Sequence, residues 1–363
     1  MQPNTVFCAL SRQRNRLAKG FGLVAGLAAP TAARAHGGEG LLAADAFRAW
    51  SVTPEISGAL LLILVIYIRG ALRRRSVAAP ASASRHVLFA GGILALFLSL
   101  QSPIDPMGER LFLAHQIQHL LLRMVGPMLV VLARPQGLLI AGTPEVLRRW
   151  LLAPMLANGA VSGLYNWMTG PLTAFVLFLL SLYVWQIPPI HNAALLDPLI
   201  HWAMHLTMLA GGLLFFAMIF GRRDLPTTPP HSLRIALLFA GIVSNILLGA
   251  ITVFKTTVLY TAYDIEGRLF GIAPLSDETA GGFILWVPGS MMLIIAIMIV
   301  VFDWNRTEGK RLDRGHDMAG SGKAGSPAQA AAARKRLALL LGLGVLAMFS
   351  LIIGTAVFIL SIG

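Results

Sequence analysis

Apolar residues along this chain are gathered in long blocks, each close to the roughly 20 residues that a helix needs to cross a bilayer. Eight such stretches follow a short N-terminal block: about 55–71, 87–103, 111–133, 171–190, 199–220, 233–254, 281–303 and 337–361. Backbone groups in hydrocarbon must be satisfied within the segment itself, which excludes open sheets. The pattern therefore predicts an all-α, polytopic transmembrane helix bundle. A seven-helix core spans 55–303, and 337–361 reads as one further C-terminal span.

The polar stretches between the blocks divide the rest of the chain. Residues 1–35 read as a secretory signal: Arg12, Arg14, Arg16 and Lys19 precede the apolar "GFGLVAGLAAP", and "ARA" before His36 has the form of a cleavage site. Cleavage would remove Cys8, the only cysteine, and with it any disulfide, thiolate ligand or cysteine nucleophile. Residues 36–54 then form an outer N-terminal segment. "TPEVLRRWLLAPMLA" (143–157) predicts a helix lying in the membrane interface, with Thr143 as N-cap and Pro144 at the first helical position. Residues 304–336, rich in Lys, Arg, Gly, Ala and Ser, read as a flexible cytoplasmic linker.

The composition, 56% hydrophobic and 12% charged, fits that reading, but the net charge of +13 first suggests nucleic acid. Its distribution argues otherwise. Segments 69–85, 134–170, 221–234 and 304–336 hold nineteen Lys and Arg, whereas the mature segments at the opposite ends of the spans hold four. The positive-inside rule makes the first group cytoplasmic and places the mature N-terminus outside. The charge thus reports topology, and no nucleic-acid partner is expected.

Topology turns the histidines into a pattern. His36, His115, His119, His191, His201 and His205 fall at or near the outer face, while His86, His231 and His316 fall on the cytoplasmic side. His115 and His119 occupy the first two turns of the third span, and His201 and His205 the same depth of the fifth. Each pair is spaced i,i+4, which puts two imidazoles on one helix face, the spacing by which helical histidines share a metal. Ionisable groups inside a membrane face the bundle interior and mark function by default. His191, at the end of the fourth span, and His36 are further candidate ligands.

Asp105, Glu109, Asp197, Asp277 and Glu278 gather at the same helix ends. Asp277 and Asp105 are candidates either to ligate directly or to orient a ligating imidazole; the alternative is a helix-end acid favoured by the N-terminal dipole. Met107, Met204, Met208 and Met291 offer thioethers that favour Cu(I), against the plainer reading of packing. Gly281 and Gly282 permit close helix approach, and Asn245 suits an interhelical hydrogen bond. Arg123, mid-span with no acidic partner in sequence, either snorkels or binds an anionic group.

Four segments, "SPIDPMGERLFLAHQIQHLLL", "WQIPPI", "DPLIHWAMHLTMLAGGLLF" and "SDETAGGFILWVPG", together resemble the CtaG family of cytochrome c oxidase assembly factors, named for caa3-type oxidases. The resemblance covers about residues 50–303. It implies a bacterial cytoplasmic-membrane protein that helps mature haem–copper oxidases at the copper step. Carried over by position, the family's paired histidines correspond to His115 and His119 and to His201 and His205, and its aspartate ahead of Gly-Gly to Asp277. Gln186 follows Trp185 where the family often has histidine, and His191 lies five residues on.

The expected function is therefore oxidase assembly rather than catalysis. Copper would be held by the four paired histidines at the outer face, with His191 and Asp277 completing or orienting the site, and passed to the oxidase catalytic subunit. A separate copper donor protein would be a further partner. Two rivals use the same residues: a b-type cytochrome with axial histidines on facing helices, and a membrane di-metal oxygenase or desaturase.

Overall fold

The computed structural model describes residues 41–75, 82–221 and 229–319. The main helices are α1 (Pro54–Arg75), α2 (Ala83–Gln101), α3 (Phe112–Ala133), α4 (Pro171–Gln186), α5 (Pro188–Leu196), α6 (Pro198–Phe220), α7 (His231–Val253) and α8 (Pro274–Ala319). Six of them, all but α4 and α5, are long and apolar enough to cross a membrane singly. A seventh crossing arises if α4 is joined to the helix Gly159–Met168, from which it bends by 68°. No strand occurs among the described residues. The chain is an all-α, multi-pass membrane protein. The expected signal segment with Cys8 and His36, residues 320–336 of the expected linker, and the expected span 337–361 lie outside the described residues.

Burial separates inner from outer helices. The best apolar window of α3, α6 and α8 is 56% buried, against 11% for α1, so the inner three can carry polar groups that lipid would not tolerate. Their close approach is made by glycines. A Cβ on Gly212 of α6 would stand 2.0 Å from the backbone oxygen of Arg123 on α3, so these two helices touch backbone to backbone. Gly281 meets the Phe112 ring, and Gly282 meets Thr252 of α7, as expected of that pair. Below these contacts, Phe178, Phe215, Phe216, Met292 and Leu293 fill the core.

Three local expectations are corrected. The fourth span ends at Gln186 instead of 190, because Pro188 forces the preceding Ile187 out of helical geometry (φ −69°, ψ 119°), and the chain restarts as α5. The seventh begins at Pro274 and continues to Ala319, so residues 304–319 are helical where a flexible linker was expected. Thr143 does not cap the following helix; its hydroxyl donates back to the Leu139 carbonyl at 2.8 Å. A helix still forms there, from Glu145 through a π-turn to Ala157, with Val146, Trp150 and Leu156 exposed.

Candidate metal centre

The first turns of α3 and α6 bring their imidazoles into one cluster. Ring centroids are 4.2 Å apart for His115 and His119, 4.5 Å for His201 and His205, 5.4 Å for His115 and His201, and 5.8 Å for His119 and His205. One ring nitrogen each from His115, His201 and His205 lies within 4.8 Å of the other two. His115, His119 and His205 are buried and His201 is partly open, giving the cluster one accessible side.

The sequence reading missed the groups that orient His115. His191 Nδ1 lies 2.8 Å from the Trp185 carbonyl, which can only accept, so that nitrogen carries a proton. Burial lowers the His191 pKa to about 4, so the ring is neutral near pH 7 and its Nε2 accepts. The donor is the Tyr263 hydroxyl, 2.8 Å away. With its O–H directed at His191, the Tyr263 oxygen accepts from His115 Nδ1 at 2.9 Å. The chain of bonds thus fixes His115 with its proton on Nδ1 and leaves the Nε2 lone pair facing the cluster with no partner. His119 is more exposed energetically: neither ring nitrogen has a hydrogen-bond partner although the side chain is buried. Unpaired polar atoms in such surroundings are destabilising by about 1–3 kcal/mol each, so this arrangement suits a group that accepts nitrogen lone pairs.

Tyr263 comes from the connection between α7 and α8, which is pinned by charge. Glu278 accepts from the backbone N–H groups of Leu259 and Tyr260, both at 3.0 Å, and pairs with Lys255 and Arg268. Arg268 also pairs with Asp264 at 2.8 Å and Asp277 at 2.6 Å; although burial opposes its charge, these acids outweigh it and raise its pKa. Burial pushes the Tyr260 and Tyr263 hydroxyls up, so both remain protonated donors. Tyr260 donates to the Gln186 carbonyl at 3.0 Å, and Gln186 reaches Gln116 on α3 at 2.9 Å. Gln186 therefore braces the helix that carries His115 and His119.

The other predicted site residues have separate duties. His191 has both nitrogens engaged and orients rather than points a free nitrogen inward. Asp277 is fully buried, and its oxygens accept from the backbone N–H groups of Phe112 and Leu113 at 2.8 and 2.9 Å. It caps the start of α3 from a distant part of the sequence. Asp197 caps its own helix through Leu199 and Ile200. Asp105 accepts from Ser51 and Gln118, each at 2.7 Å. Met204 and Met208 pack with Leu96, Leu122 and Leu182, Met107 packs by Leu111 and Ala46, and Met291 is buried. Arg123 does not snorkel, being buried over the Phe178 ring at 3.6 Å. Asn245 lacks the expected interhelical bond on its Nδ2. Only the short "LYTAYD" run, holding two of the chain's five tyrosines, could have hinted at the phenols.

Uncharacterized proteins of Mycobacterium bovis and Mycobacterium tuberculosis are each 29% identical to this chain over 269 residues, 71% of this chain and 40% of theirs. A Mycobacterium leprae protein, also uncharacterized, is 26% identical over 275 residues, 72% of this chain and 40% of its own length. The chain thus spans about two fifths of the length of these relatives. No solved structure matches it. Residues 65–307 match the family model described as cytochrome c oxidase caa3 assembly factor (Caa3_CtaG), a region that contains both histidine pairs, the tyrosines and the capping acids, and the chain belongs to that family.

Proposed function

We propose that this assembly factor carries a copper ion for the oxidase and releases it toward the oxidase catalytic subunit. The observation that supports this reading best is the convergence of ring nitrogens from His115, His201 and His205 within 4.8 Å, with His115 Nε2 and both His119 nitrogens unpartnered. Neutral imidazoles suit copper, and helices α3 and α6 each supply a pair at i,i+4 spacing. Tyr263 and His191 set the His115 tautomer, and Asp277 fixes the helix that carries it.

The basic segments lie at the other ends of these helices, so the positive-inside rule turns the site to the outer side of the bacterial cytoplasmic membrane. His201, the least buried of the four, would be the first contact for copper arriving from a donor protein. A buried neutral site spares the ion from crossing hydrocarbon without ligands, and handing it on breaks only metal–nitrogen contacts. No bond in a substrate is made or broken, which makes this a non-enzymatic role. The b-type cytochrome reading fits less well, because His115 of α3 and His201 of α6 stack directly with ring centroids 5.4 Å apart, too close for a macrocycle between them.

The test is metal analysis of the purified full chain with its visible spectrum. Stoichiometric copper without a Soret band is expected. A Soret band would transfer the site to haem, and neither metal nor haem after copper loading would overturn the proposal. Tyr263→Phe supplies a finer check. Losing this hydrogen bond frees His115 to take its other tautomer, and copper affinity should fall roughly 10–100-fold while the fold is kept. Unchanged affinity would remove Tyr263 from the site.

A further inference from the structure

A second polar feature lies inward of the histidines. A cavity of about 20 Å³ is bounded by His119, Gln116, Arg123 and Asn245 together with apolar side chains such as Leu182 and Ile284. Three of those four polar residues carry side-chain nitrogens with no partner: Gln116 Nε2, Asn245 Nδ2 and both nitrogens of His119. The fourth, Arg123, uses Nε on the Ser181 hydroxyl at 3.3 Å and Nη2 on the Phe178 carbonyl at 2.7 Å. Three of a guanidinium's N–H groups are then still to be satisfied.

Arg123 is 3% exposed, and among the described residues no carboxylate pairs with it. A cation held this deep without a counter-charge is strongly unfavourable. It is also held on purpose: Leu121–Val125 is a π-turn inside α3, a local departure from regular helix that is common where function needs a side chain re-aimed. A cationic wall, amide donors and no acid describe a site for negative charge.

We propose that this cavity binds one small inorganic anion of the halide class, which neutralises Arg123 and hydrogen-bonds to Asn245. Its volume holds one occupant of water size, which a chloride or bromide approaches and a sulfate exceeds. The anion would also offset positive charge brought to the adjoining histidines. The cavity shares His119 with the copper site, but the proposal does not depend on the copper reading, since Arg123 and Asn245 supply the anion's partners without metal.

The test uses metal-free full chain in detergent, with chloride added against isethionate at constant ionic strength. A saturable rise in unfolding temperature, on the order of 3 °C, is expected with chloride and bromide and not with sulfate. Arg123→Met and Asn245→Leu should each abolish the shift. If Arg123→Met does not fold, the halide selectivity of the wild type and the Asn245→Leu result decide. No shift in the wild type, an equal shift with sulfate, or a full shift in Asn245→Leu would overturn the proposal and leave water as the occupant.

Discussion

A chain with alanine at both His115 and His205 is expected to lose stoichiometric copper completely while remaining folded. The substitutions take one imidazole from α3 and one from α6, so neither helix keeps its pair, and of the converging His115, His201 and His205 only His201 remains. The fold should survive because the two helices are joined elsewhere, at the Gly212 contact with the Arg123 backbone. The hydrogen bond from His115 to Tyr263 is lost, a loss of about 1 kcal/mol, but Tyr263 keeps His191 as its acceptor. Metal content and thermal unfolding, measured side by side, separate the two effects. Copper retained by the folded variant would show that these histidines are not its ligands.

Asp277→Ala should have the opposite character, a large loss of stability. This carboxylate is fully buried and satisfies two backbone N–H groups at the start of α3 as well as Arg268. Alanine leaves both donors and part of a buried cation unpaired, and the expected loss is about 3–5 kcal/mol. Asp277→Asn keeps an acceptor for the helix start but loses the ion pair, so it should fall between the wild type and alanine. Denaturation in detergent measures both. A loss below about 1 kcal/mol for alanine would reduce Asp277 to the ordinary helix-end acid that its position in sequence allows. Hydrogen exchange at Phe112 and Leu113 would show whether the start of α3 frays, which is where copper affinity would suffer next.

Much of this architecture was legible in the sequence because a bilayer imposes a simple rule. Apolar length alone located the crossings, and the six that form single helices begin or end within a few residues of the expected limits, apart from α8. The break after Gln186 was also legible, since Pro188 and Pro189 mark it, but apolar length outweighed them. The extension of α8 was not: Lys, Arg and Gly in 304–319 look like a linker, yet helix already begun propagates through them.

The site divides along the same line. Histidines four residues apart on one helix must share a face, so each pair was fixed by local geometry. That the pairs meet, and that His191 and Asp277 support rather than surround the centre, depended on contacts between distant segments. Tyr263 and His115 are separated by 148 residues, and Asp277 reaches Phe112 across 165. Nothing in a local pattern marks a tyrosine as the hydrogen-bonded bridge between two histidines or an aspartate as the cap of another helix.

By itself, then, the sequence determined a helical membrane protein with two histidine pairs at one level, because hydropathy and helical periodicity act over short stretches. Only the tertiary structure decided which His115 nitrogen is free, where Asp277 spends its charge, and that Arg123 stays buried beside a cavity. Those outcomes rest on hydrogen bonds and backbone contacts between helices, and such bonds exist only once the helices have packed.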